Sequence, residues 1–184
     1  MKINLWASIV ITTISMCIAG CDDTTTKPII EEDWSFQPDS TKFSVSLVSV
    51  SDTVDSGKTF EVKVVFYNIE ELFGASMEIA FSHDIIEILG VTTGPHFSPA
   101  DARLVVSRID TSLVQVSYGI TFVAGSGLTA PRSGVVMKMR CRAKNRGVAA
   151  FDNIASRLVL KRSDGTAVPG FQSIDIEDLH LTIR

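Results

Sequence analysis

From Phe43 to the C-terminus, apolar and polar residues alternate with a period of two. That spacing puts successive side chains on opposite faces of an extended chain and is the strand signature. Phe60, Val62, Val64 and Phe66 alternate with Glu61, Lys63 and Val65. Phe73, Ala75, Met77, Ile79 and Phe81 alternate with Gly74, Ser76, Glu78 and Ala80. Further runs cover 86–92, 102–109, 113–122, 134–144, 148–160 and 174–184. Turn-forming clusters separate them: Asp55-Ser56-Gly57, Ser82-His83-Asp84, Gly94-Pro95, Gly125-Ser126-Gly127, Asn145-Arg146-Gly147 and Ser163-Asp164-Gly165. No segment sustains a helical period with caps. The pattern predicts an all-β domain of eight or nine short strands, folded as two antiparallel sheets packed face to face.

The strand around Cys141 shows the alternation most clearly. Val135, Met137, Met139, Cys141 and Ala143 fall on one face, and Lys138, Arg140, Arg142, Lys144 and Arg146 on the other. Cys141 is thus expected in the core as a small, inert hydrophobe. The cations form a basic stripe on the outer face. It is read as a solvated face paired with acids on neighbouring strands, which also guards against edge association. A docking surface for an acidic partner is the other reading of the same stripe.

The first residues break this pattern. Met1-Lys2 is followed by an apolar run from Ile3 to Ile18 and then Ala19-Gly20-Cys21. A positive start, a short apolar stretch and small residues before a cut predict a secretory signal over residues 1–20. A bilayer span needs about 20 apolar residues, and Thr12, Thr13 and Ser15 interrupt this run. Ile18-Ala19-Gly20-Cys21 resembles a bacterial lipobox, which implies diacylation of the Cys21 thiol and acylation of its new α-amine. Several acyl chains anchor a protein stably where one does not. The expected location is therefore the bacterial cell envelope, lipid-anchored to a membrane on its periplasmic or cell-surface side.

Residues 21–42 read as a tether, with Thr24-Thr25-Thr26, two prolines and six acids against Lys27 and Lys42. Trp34 and Phe36 within it are expected to pack on the edge of the domain, a docking peptide being the other reading. The domain at 43–184 carries 15 acids and 14 bases, so it is close to neutral. Nucleic acid is not an expected partner of such an exported domain. Of the three cysteines, Cys17 leaves with the signal and Cys21 carries lipid, so Cys141 has no intramolecular partner.

Candidate chemistry is sparse. His83, His96 and His180 stand apart in sequence, and no Cys pair or His-x-x-x-His spacing suggests zinc. No EF-hand spacing is present, although Asp101 or Asp110 in loops could meet calcium with backbone carbonyls. Gly125-Ser126-Gly127 lacks the Gly-x-Ser-x-Gly context and the following helix of a nucleophile elbow. The expectation is a non-enzyme with no cofactor and no metal.

Residues 59–91 resemble the opening of a cohesin domain. The similar segments are Thr59–Asn68, Phe73–Phe81 and Ile85–Val91, preceded by the Gly57 turn. Gly125-Ser126-Gly127 and Asp164-Gly165 also sit where that pattern expects them, and Phe81-Ser82-His83 stands in place of the family's Tyr-Asp-Pro turn. The resemblance implies a nine-stranded jelly-roll sandwich. It implies a function as well: docking the dockerin module of a partner protein, often a polysaccharide-degrading enzyme, through the outer face of one sheet. Gly74 and Ser76 fall where cohesins commonly place Asn and Asp. Ser76, Glu78, Gln115 and Ser117 are the partner-binding candidates on that sheet. The basic-stripe candidates are Lys138, Arg140, Arg142 and Lys144.

Two further readings compete with protein docking. Jelly rolls commonly bind polysaccharide directly, by stacking sugar rings on exposed aromatic platforms. The mature chain offers only Trp34, Tyr67 and Tyr118 beyond its phenylalanines. A structural cell-envelope module of adhesin type is the other alternative.

Overall fold

The computed structural model describes residues 42–95, 102–123, 127, 132–152 and 157–184. The expected signal peptide, Cys21, Trp34, Phe36, His96, Asp101 and Gly125-Ser126 lie outside these residues. The strands are β1 (Ser44–Ser49), β2 (Thr53–Val54), β3 (Thr59–Ile69), β4 (Gly74–Phe81), β5 (Ile86–Thr93), β6 (Ala102–Asp110), β7 (Gln115–Phe122), β8 (Arg132–Ala143), β9 (Gly147–Asp152), β10 (Val159–Lys161), β11 (Asp175–Glu177) and β12 (Leu179–Ile183). They form two sheets. The smaller runs β11-β1-β3-β8-β5; the larger runs β2-β12-β9-β4-β7-β6, with β10 also paired to β4. The expected all-β sandwich is therefore present.

The sheets bury their facing apolar rows against each other. Val62, Val64 and Phe66 of β3 meet Met77 and Ile79 of β4 in one cluster with Met137, Met139, Phe151 and Leu181. Each such side chain, fully buried, stabilises the fold by about 1.5–3 kcal/mol before chain entropy is set against it. Tyr118, on β7, crosses the core. Its hydroxyl donates to the Val136 carbonyl at 3.2 Å and lies 3.1 Å from Thr93 Oγ1, so the larger sheet is pinned to both β8 and β5.

Three expectations change. The register of β3 on β8 passes from Val64↔Met137 to Val65↔Val135, leaving Val136 as the extra residue of a bulge. Val136 and Met137 are both fully buried and Val135 only partly, so Val136 takes the core place expected of Val135. Secondly, the run expected at 148–160 is two strands. β9 pairs with Ala80 and Phe81 while β10 pairs with Gly74, Ala75 and Ser76, so both share one edge of β4. Thirdly, the last run divides at Asp178: β11 joins β1 in the smaller sheet, and β12 joins β9 in the larger.

Burial does not alternate along β1 and β3. Lys63 and Val65, turned away from the core, are only 5 % and 2 % exposed.

Candidate functional site: the outer face of the larger sheet

Strand register brings the partner-binding candidates onto one face. Glu78 lies directly opposite Ser117, Ala80 opposite Gln115, and Ser76 opposite Gly119. Ala75, Met77 and Ile79 are buried in the core, so the intervening Gly74, Ser76, Glu78 and Ala80 face outward. β6 extends the face on one side and β10 on the other.

Reading across these four strands resolves the face into parallel rows. One row is Arg103, Thr121, Gly74 and Lys161. The next is Val106, Gly119, Ser76 and Val159. The third is Arg108, Ser117 and Glu78, continued by Arg157 through its ion pair to Glu78 at 2.5 Å. The fourth is Asp110, Gln115, Ala80 and Asp152. An apolar row thus runs between charged ones, over a floor of small residues.

The floor is low because Gly119 has no side chain. A Cβ there would lie 2.9 Å from Val106 Cγ1, so the valine leans over the glycine. Val106 and Val159 remain 39 % and 45 % exposed at the two ends of the row. The large exposed hydrophobics among the described residues are all valine or leucine. Tyr118 is buried, and burial raises its pKa.

A rigid turn closes one end of the face. Asp110 Oδ1 accepts the backbone N–H groups of Ser112 and Leu113, each at 3.0 Å, and its other oxygen takes Arg108 at 2.6 Å. The Leu113 bond first, and then the Ser112 bond and the Arg108 charge, hold this carboxyl below its ordinary pKa. Val114 adopts φ 55°, a left-handed conformation costly for a β-branched residue. Its carbonyl accepts the Phe81 N–H at 3.3 Å. The outcome is Leu113 projecting 65 % exposed beside the face.

The basic-stripe candidates lie elsewhere, on the outer side of the smaller sheet. Arg142 pairs with Glu87 of β5, the guanidinium Nε lying 3.0 Å from the carboxylate. Lys138 reaches Glu61 at 3.7 Å. Lys144 Nζ donates to the His83 carbonyl at 2.8 Å, and Arg140 is exposed. The structure therefore separates the two candidate sets onto opposite sheets. Cys141 sits in the core between them, its thiol pushed up to about 12 by burial and then by the Glu61 charge. His83 meets Asp84 at 3.1 Å in the turn after β4. No grouping of three or more metal-ligating side chains occurs among the described residues.

Val106, Gly119 and Val159 were not singled out from sequence, although they complete the apolar row. Only Leu104-Val105-Val106 carried a local signal, as an apolar run that breaks the alternation. A bulge at that point shifts the β6–β7 register.

No family model matches the chain, and no curated protein matches it in sequence. Solved structures do match. A non-cellulosomal cohesin from the archaeon Archaeoglobus fulgidus is 14% identical, with a TM-score of 0.58 over 78% of this chain and 91% of that one. The type II cohesin of a cohesin–X-dockerin complex from Acetivibrio cellulolyticus is 9% identical, with a TM-score of 0.64 over 78% of this chain and 100% of that one. The cohesin of a type I cohesin–dockerin complex from Clostridium thermocellum is 10% identical, with a TM-score of 0.60 over 77% and 99%. At these identities the likeness is one of fold. The fold of this chain is that of the cohesin domains.

Proposed function

We propose that the chain is a non-catalytic recognition module, lipid-anchored through Cys21, that docks a dockerin-like partner protein on the outer face of β10-β4-β7-β6. The observation that carries this reading is the face itself: small residues at Gly74, Ser76, Ala80, Ser117 and Gly119, with aliphatic side chains exposed at its margins. Such a floor admits close approach of a second backbone, and aliphatic margins supply apolar burial. The cohesin fold supports it, since the Acetivibrio cellulolyticus and Clostridium thermocellum structures are complexes with dockerins. An aliphatic rather than aromatic surface suits a protein better than a sugar ring. A partner engaged in polysaccharide degradation is the natural extension of the same reading.

The test is capture by the full-length chain, reconstituted in vesicles, from the secretome of its own organism. Captured proteins are expected to carry a duplicated calcium-loop module and to be released by EDTA. Ser76→Arg and Ser117→Arg, both on the face, should abolish capture while leaving the circular dichroism spectrum unchanged. Recovery of no such protein, together with retention of the chain on insoluble polysaccharide, would overturn the reading.

A further inference from the structure

We infer that the outer face of the smaller sheet, along the basic stripe of β8, rests on the anionic headgroups of the membrane to which Cys21 is fixed. The inference rests on the anchoring reading above. It adds the side on which the domain lies, which turns the docking face toward solution.

Charge comes first. Arg140 is paired in the ladder with Glu61 of β3 and Gly90 of β5. The Glu61 carboxylate turns instead to Lys63 at 3.6 Å and Lys138 at 3.7 Å. A Cβ at Gly90 would touch nothing, so the face beside Arg140 is open. The stripe continues into the loop end of the sheet through Lys144 and Arg146. There the Ala143 N–H donates to the Lys58 carbonyl at 2.9 Å, which sets Lys58 beside them. The acids at this end are already engaged: Asp55 with Arg184 at 2.9 Å, Asp84 with His83 at 3.1 Å, and Glu87 with Arg142. Lys144 reaches a neutral carbonyl, and no described carboxylate pairs with Lys58, Arg140 or Arg146. All four cations are exposed, and the turns around them, 55–58, 82–85 and 144–147, lie wholly within the described residues.

Surface chemistry then separates a membrane from a protein partner. None of the large exposed hydrophobics among the described residues lies on β3, β5 or β8. A protein interface buries an apolar centre within a polar rim. A headgroup layer is held by charge alone, each surface cation adding to the attraction. Reach sets no barrier. The domain begins with β1, which belongs to the same sheet as β8. From the Ser44–Tyr67 pair to the Thr59–Arg142 pair that sheet runs about 27 Å. The covalent chain from Cys21 to Lys42 can extend to about 70 Å. Because the outer faces of the two sheets point opposite ways, a domain lying on β8 presents β10-β4-β7-β6 to solution.

The full-length chain is added to vesicles of phosphatidylcholine, with or without phosphatidylglycerol, and its lysines are acetylated and read by mass spectrometry. With phosphatidylglycerol present, labelling of Lys58 and Lys144 should fall roughly fivefold, while Lys161 on the larger sheet keeps its rate. Added salt should abolish the difference. Arg140→Glu with Arg146→Glu should remove the shielding and leave the circular dichroism spectrum unchanged. Equal labelling of Lys144 on the two kinds of vesicle overturns the inference, as does equal shielding of Lys161. Shielding by soluble polyglutamate as strong as that by phosphatidylglycerol also overturns it, since the face would then take any polyanion. If the chain washes off phosphatidylcholine yet Lys144 is shielded on the mixed vesicles, the face stands and the Cys21 anchor is wrong. If the chain stays on phosphatidylcholine with no shielding on either, the anchor stands and the face is wrong.

Discussion

Cys141 lies fully buried between Met139 and Ala143, and its thiol is pushed up to about 12. The nucleophile in thiol chemistry is the thiolate, so the folded protein should resist iodoacetamide at mildly alkaline pH. The urea-unfolded chain should react at once, and mass spectrometry of the Cys141 peptide reads the difference. The linkage has a definite sign. A raised pKa contributes stability that is complete below the ordinary thiol value of 9.0 and is lost as pH climbs toward about 12. Cys141→Ser would put a hydroxyl among methionines and should cost about 1–3 kcal/mol in urea denaturation. Asp110 works in the opposite direction. Its depressed pKa gives stability present above the ordinary carboxylate range and lost as pH falls through the lower value. An Asp110→Ala variant should therefore show a flatter acid limb in its thermal melts than the wild type.

Among the elements, the close pairing of β5 with β8 depends on Gly94. Its N–H donates to the Val136 carbonyl at 2.8 Å, and a Cβ there would lie 2.1 Å from the Val135 carbonyl oxygen. Backbone cannot swing aside as a side chain can. Gly94→Ala should cost more than about 2 kcal/mol, measured by urea denaturation. Val114 predicts the reverse. Replacing this strained residue by glycine should raise stability by about 0.5–1 kcal/mol and lower the rigidity of the Leu113 turn. Gly94 was legible only through its Gly94-Pro95 turn signal, and Val114 was read as part of the 113–122 strand, which in fact starts at Gln115. Alternation correctly put Ala75, Met77, Ile79 and Phe81 in the core, because burial on one face is a local property with a period of two. It misplaced Val135, because a bulge inserts a residue and reverses the phase. It named Ser76, Glu78, Gln115 and Ser117 as outward residues but could not order them. That Glu78 meets Ser117, and that Val106 leans on Gly119, follows from register between strands distant in sequence.

For the whole molecule, the Cys21 anchor is the reading that local sequence carries without help from the fold. Cys21→Ala should move the protein from the membrane to the soluble fraction, with the acyl mass lost from the N-terminal peptide. Under the proposed function, Ser76→Arg should abolish partner capture while leaving the protein in the membrane fraction.

The position of β1 has a mechanical consequence. It pairs with β3 along Ser44–Ser49 and with β11 along Ser44–Ser46, so it is held on both sides where the domain begins. A lipid at Cys21 and a load on the larger sheet would place the chain under tension that enters at Phe43. A pull along the axis of β1 would strain two ladders together, instead of opening hydrogen bonds one after another. Under the proposed anchoring and docking, such a pull would load the domain in shear rather than by peeling.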